Sequence, residues 1–156
     1  MTTLSNDEKR ANLLLVEDEP LICDIVAEAL EEQGFEVRAV SNAADALRHL
    51  LSGLPVDILF TDINLPGDMD GAALALRARE LRPNLPVMYT SGRRAVIDQL
   101  DPVDGSMFLP KPYNPYDIGR LLHYLVASNG LPAATRAPSR PWPKIPPASG
   151  CDSRRR

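Results

Sequence analysis

The sequence predicts an α/β fold: a five-stranded, doubly wound parallel sheet with crossover helices on both faces. Three observations carry this reading. Strand-like apolar runs alternate with helical patterns five times, as a parallel sheet with covering helices requires. Four of those runs lead straight into polar residues: Leu13-Leu14-Leu15-Val16 into Glu17 and Asp18, Val56 to Thr61 into Asp62, Pro86-Val87-Met88-Tyr89 into Thr90 and Ser91, and Met107-Phe108-Leu109 into Lys111. The length, 156 residues with 44% hydrophobic and 24% charged, suits one well-packed domain and a tail better than two domains.

The first strand, about 12–17, precedes a helix over about 20–33 that opens on Pro20 and stops at Gly34. Leu21, Ile22, Ile25, Val26, Ala29 and Leu30 are its expected buried stripe. The second strand, about 35–40, precedes a helix over about 43–52 that is capped by Ser41 or Asn42, buries Ala43, Ala46, Leu47 and Leu50, and ends at Gly53. After the third strand, about 56–61, a helix over about 70–81 carries Ala72, Ala73, Leu76 and Leu81 and ends at Pro83. The fourth strand, about 86–91, leads to a weak helix from Arg93 to Leu100, closed early by Asp101-Pro102 and expected to be short or mobile. The fifth strand, about 106–109, precedes a helix over about 114–127 that opens at Asn114-Pro115 and buries Ile118, Leu121, Leu122 and Leu125, with Tyr116 and Tyr124 as added apolar bulk.

Composition divides the chain into a flexible N-terminus (1–10), a folded body (11–128) and a Pro/Arg-rich tail (129–156). The tail holds six prolines and few large apolar side chains in 28 residues, so it is expected to be disordered. Met1 to Ser128 carries 11 basic and 20 acidic residues, the tail 6 basic and 1 acidic. An acidic body repels nucleic acid, leaving only the tail as a weak candidate for it. The segment Pro138 to Lys144, or Arg154-Arg155-Arg156, could dock a partner or fold back on the acidic body. Cys23, read as packing, and Cys151 give neither a disulfide framework nor a metal spacing, which fits a reducing cytoplasm. No apolar run reaches membrane-span length and Met1 to Arg10 is no export leader, so a soluble cytoplasmic protein is expected.

Residues at the carboxyl ends of parallel strands converge on one crevice. Glu17, Asp18, Asp62, Ser91 and Lys111 would meet there, a set suited to a hard divalent cation beside a phosphoryl group. Asp62 could attack a phosphoryl donor while magnesium, held by Asp18, Asp62 and Glu17, offsets the like charges. Lys111 can pair with a carboxylate or phosphoryl oxygen, Ser91 can donate to another, and Gly92 leaves room. This chemistry reads as a phosphoaspartate switch.

These residues resemble the receiver domains of two-component response regulators, of the single-domain, stand-alone type. The resemblance covers about Leu13 to Ala127 and rests on Leu14-Leu15-Val16-Glu17-Asp18-Glu19-Pro20, Thr61-Asp62-Ile63-Asn64-Leu65-Pro66 followed by Met69-Asp70-Gly71, Thr90-Ser91-Gly92, and Phe108-Leu109-Pro110-Lys111-Pro112-Tyr113. It implies the flavodoxin-like (βα)5 receiver fold, Asp62 as phosphoacceptor, Glu17 and Asp18 as the acidic pair for Mg2+, and the Asn64 backbone carbonyl completing the metal shell. It also implies Ser91, five positions after Pro86, as the switch hydroxyl, Lys111 as the pocket lysine and Phe108 as the aromatic that follows Ser91. The implied donor is a histidine kinase or histidine phosphotransfer protein, and the implied reader a downstream protein. No membrane or nucleic-acid partner is expected, and the chain would be a monomer or a phosphorylation-dependent dimer.

Gly67-Asp68 lengthens the loop after Pro66 by one residue relative to the family, the fourth helix is expected to be short, and no effector domain is expected to follow. Signalling by protein contact is therefore expected, with no enzyme activity beyond self-catalysed phosphotransfer and dephosphorylation. Two alternatives stand beside this reading: a phosphorylation-independent pseudo-receiver, and an enzyme on a related fold, either a phosphatase with an aspartyl nucleophile or a flavin binder. Such a phosphatase usually wants a second acid two residues after the nucleophile, where Asn64 stands. A flavin phosphate would be repelled by Glu17-Asp18-Glu19.

Overall fold

A computed structural model describes residues 10–93 and 99–128. The N-terminal segment 1–9, residues 94–98 of the expected fourth helix, and the tail 129–156 lie outside the described residues. The elements run β1 (Ala11–Val16), α1 (Pro20–Glu32), β2 (Phe35–Val40), α2 (Ala43–Leu51), β3 (Ile58–Asp62), α3 (Gly71–Leu81), β4 (Val87–Ser91), β5 (Met107–Pro110), a 3-10 turn (Pro115–Asp117) and α4 (Gly119–Ser128).

The five strands form one parallel sheet in the order β2-β1-β3-β4-β5. Winding reverses between β1 and β3, and such a reversal leaves a crevice at the carboxyl ends of the two strands. Because successive side chains alternate, β1 feeds both faces of the core. Leu14 and Val16 pack with Ala46 and Leu50 of α2 and Leu74 and Ala78 of α3. Leu13 and Leu15 pack with Val26 and Leu30 of α1 and Leu122 and Leu125 of α4. Burial on both faces is why the strands read as continuous apolar runs.

Helix ends follow local chemistry. Asn42, rather than Ser41, caps α2, its side chain accepting from the Asp45 N–H at 2.8 Å. Asp70 caps α3 by accepting from the Ala73 N–H at 2.9 Å. The Gly71 N–H donates to the Ile63 carbonyl at 2.8 Å, pressing the start of α3 so close to β3 that a Cβ on Gly71 would collide with the Asp62 carbonyl. This contact fixes the phase of α3, and the buried set is Gly71, Leu74, Ala75 and Ala78. The expected set is corrected accordingly: Leu76 and Leu81 are exposed, Ala72 and Ala73 half-buried.

Two further expectations change. On α1 only Val26, Ala29 and Leu30 are fully buried, whereas Leu21 and Ile25 are 72% and 47% exposed. Ile25 lies about a quarter turn and Leu21 more than about a third of a turn from the sheet-facing stripe, on a helix with more apolar residues than one face can bury. The last helix is also broken. Gln33, at the end of α1, accepts from the Gly119 N–H at 2.8 Å and donates to the Ala29 and Pro115 carbonyls at 2.9 and 2.7 Å. One amide thereby ends one helix and starts another, which restricts α4 to Gly119–Ser128, and Tyr116 and Tyr124 point to solvent.

Candidate functional site

Glu17 follows β1 directly, is 3% exposed, and accepts at Oε2 from the Glu19 N–H at 3.1 Å. Asp18 beside it is exposed. Asp62 closes β3, is 5% exposed, and accepts at Oδ1 from the Asn64 N–H at 2.9 Å. Lys111 follows β5, where its backbone N–H donates to the Ser91 carbonyl at 3.0 Å. Its Nζ crosses the sheet end to Asp62 Oδ2 at 2.7 Å and Glu17 Oε1 at 3.1 Å. Ends of three strands are thus tied by one ammonium group.

Burial works against the charge on Lys111, but the hydrogen bond and negative charge of Asp62, followed by those of Glu17, outweigh it and the pKa rises. Burial, reinforced by the same two carboxylates and Cys23, drives the Tyr113 hydroxyl far above its ordinary value. Tyr113 packs against Phe60, ring centroids 5.9 Å apart, and shields the site on the α1/α4 side.

Carboxylate oxygens of Glu17, Asp18 and Asp62 lie within 4.8 Å of one another. One lysine cannot offset three carboxylates, and an all-oxygen donor set favours a hard cation of the magnesium type. The residues therefore fit that ion. A cleft of about 740 Å3 is bounded by Glu17, Asp18, Cys23, Arg38 and His49, so the acidic side of the site opens to solvent.

Register assigns the two adjacent hydroxyls to different environments. Thr90 stands opposite Asp62, but its buried Oγ1 has no hydrogen-bond partner. Ser91 Oγ accepts from the Arg93 N–H at 3.0 Å and from the Asn64 side-chain amide at 3.2 Å. Phe108 is buried in register with Tyr89, two strand positions before Ser91, and packs in the cluster that contains Val103. The sequence reading put Glu17, Asp18, Asp62, Asn64, Ser91 and Lys111 at one locus, and the structure brings them together there. It missed the Asn64 side chain, the tight approach at Gly71 and the cover given by Tyr113, because each depends on packing across distant segments.

The strand order places the fold in the flavodoxin-like class of doubly wound domains, and the oxygen-rich, lysine-bridged cluster lies at its switch point. The sequence profile of the response regulator receiver domain matches residues 13–123, and the chain belongs to that family. It is 37% identical over 109 residues to the response regulator receiver protein CpdR of Brucella abortus, covering 68% of this chain and 88% of CpdR. It is 39% identical over 118 residues to the sensor protein TorS of Escherichia coli, covering 72% of this chain but 13% of TorS. Against the DNA-binding transcriptional regulator NtrC of Azospirillum brasilense it is 30% identical, covering 81% of this chain and 26% of NtrC. The chain thus spans well under half the length of several relatives. A response regulator receiver protein from Sinorhizobium medicae superimposes with a TM-score of 0.70 at 32% identity, covering 78% of this chain and 98% of that one. The receiver domain of the hybrid histidine kinase CckA gives 0.63 at 29%, covering 74% and 99%. No helix among the described residues is long and apolar enough to cross a membrane.

Proposed function

We propose that this chain is a single-domain response regulator in the cytoplasm. Asp62 accepts a phosphoryl group from a histidine kinase or histidine phosphotransfer protein, and the phosphorylated state is read through protein contacts by a monomer or phosphorylation-dependent dimer. The carrying observation is the ammonium of Lys111 bridging Asp62 and Glu17 beside the three-carboxylate cluster. The family match and the high coverage of CpdR support it.

A carboxylate oxygen of Asp62 attacks phosphorus as the donor's phosphorus–nitrogen bond breaks, and the imidazole leaves. Glu17, Asp18 and Asp62, with the Asn64 carbonyl, would hold magnesium, which would supply charge neutralisation. The Asn64 N–H and Lys111 each engage one Asp62 oxygen and so fix the orientation of the carboxylate. Lys111 has three protons, so it can keep Glu17 while turning one toward a phosphoryl oxygen. Ser91 Oγ already accepts from two N–H donors, which leaves its own proton to donate. The adjoining Tyr89–Phe108 pair is then positioned to repack as Ser91 moves. The chain acts as a phosphoacceptor rather than an enzyme with turnover on a separate substrate.

The test is intact-mass spectrometry after treatment with acetyl phosphate and magnesium. One phosphoryl mass is expected, dependent on magnesium and absent in Asp62→Asn. No addition under conditions that label a control receiver would replace this reading with a phosphorylation-independent interaction module.

A further inference from the structure

The exposed stripe of α1 combines charge and apolar area in an unusual way. Leu21, Asp24, Ile25, Glu28, Glu31 and Glu32 are all exposed, at helical spacing that places them on one face. The helix carries no basic residue, and among the described residues none of its four acids joins an ion pair. An occupant of this face would need cations flanking an apolar anchor.

The chain contains such a segment. Arg140-Pro141-Trp142-Pro143-Lys144 places its only tryptophan between two cations and two prolines, within a tail of 6 basic and 1 acidic residues. We propose that this segment docks on the exposed face of α1, with Trp142 over Leu21 and Ile25 and with Arg140 and Lys144 toward Asp24 and Glu28. Arg154-Arg155-Arg156 has the charge but no anchor. Proline restricts backbone freedom before binding, which lowers the entropy cost of docking.

Reach permits it. The tail leaves α4 after Ser128, and α4 and α1 cover the same face of the sheet. The 14 residues from Ser128 to Trp142 extend up to about 45 Å, several times the radius of gyration of about 13 Å expected for a domain near this size. Attachment to the same chain gives an effective concentration on the order of millimolar, so weak contacts suffice. Docked there, the tail flanks Asp18 and Glu19 at the start of α1, and its cations reduce the negative field over the approach to Asp62.

Trp142 is the sole tryptophan, so its emission in the full chain reports the tail alone. At low salt we expect emission shifted to the blue of free indole and reduced quenching by acrylamide, both independent of protein concentration. Both should be lost in 1 M salt, where the screening length is about 3 Å, in Leu21→Ser/Ile25→Ser, and in Arg140→Glu/Lys144→Glu, with far-ultraviolet dichroism unchanged. Free-indole emission in the native chain overturns the proposal. So does a shift that survives the α1 double variant, which would put the tail elsewhere, or one that grows with concentration, which would put it on a second copy. The readout is expected unchanged in Asp62→Asn, so it stands or falls separately from the phosphoacceptor reading.

Discussion

The side-chain amide of Asn64 donates to the hydroxyl of Ser91 across 3.2 Å, joining the loop after β3 to the end of β4. The amide occupies space beside Asp62, and its partner is the hydroxyl that would face a phosphoryl group. Asn64→Ala removes one partly buried hydrogen bond, worth about 1 kcal/mol. For a domain of this size the melting temperature should fall by about 4 °C, measured by thermal denaturation without magnesium, while the fold is retained.

Lys111→Met should be costlier in the absence of divalent cations. It leaves Glu17 and Asp62, both nearly buried, with no counter-charge. Breaking a buried pair costs about 3–5 kcal/mol, and the partial exposure of Lys111 reduces this to about 2 kcal/mol. Magnesium should raise the stability of Lys111→Met more than that of the native chain. Equal magnesium effects in paired urea titrations would contradict the shared electrostatic site.

Stability should be flat through neutral pH and fall in alkali. The Lys111 pKa is raised on folding by Asp62 and Glu17 against the opposing effect of burial, so its contribution is complete below the unfolded value of about 10.4 and is lost as pH rises through the folded value. Tyr89, raised chiefly by burial, acts in the same direction, because folding favours its neutral form until the unfolded phenol ionises near about 10. Urea midpoints from pH 8 to 11 should show this fall, and Lys111→Met should lose the lysine's share of it.

Gly71→Ala and Gly92→Ala should behave differently. A Cβ at Gly71 meets the Asp62 carbonyl and Ile63 Cα, whereas one at Gly92 makes an ordinary 3.9 Å contact with Lys111 Cβ. Backbone cannot swing aside as a side chain can, so Gly71→Ala should cost about 2–3 kcal/mol and slow phosphorylation by displacing Asp62. Gly92→Ala should be nearly neutral in stability. Urea denaturation together with acetyl phosphate labelling rates would check both.

The sheet and the convergence of Asp18, Asp62, Ser91 and Lys111 were legible because both follow from local pattern. Apolar runs mark strands, and parallel strands deliver their last residues to one end. Helix facing was less legible where a helix carries apolar residues around much of its circumference. On α3 the phase is set by Gly71 against β3, a contact between segments that spacing cannot reveal; on α1 the sheet accepts one stripe and leaves Leu21 and Ile25 outside. The break before α4 comes from Gln33, 86 residues before Gly119 in the chain. Nothing in the spacing singles out Arg79 and Arg82, which donate to the carbonyls of Leu85, Asp104, Leu50 and Leu54 and tie loops to α3.

The acceptor and its lysine stand on strands of unequal support. Asp62 belongs to β3, paired on both sides at the centre of the sheet, whereas Lys111 extends from four-residue β5, paired only with β4 at the edge. Amides of β5 should therefore exchange with deuterated solvent well before those of β3. When charge at Asp62 pulls on Lys111, the yielding member is the edge strand. The central strand serves as the fixed anvil, and compliance is confined to the margin of the sheet, within reach of another protein.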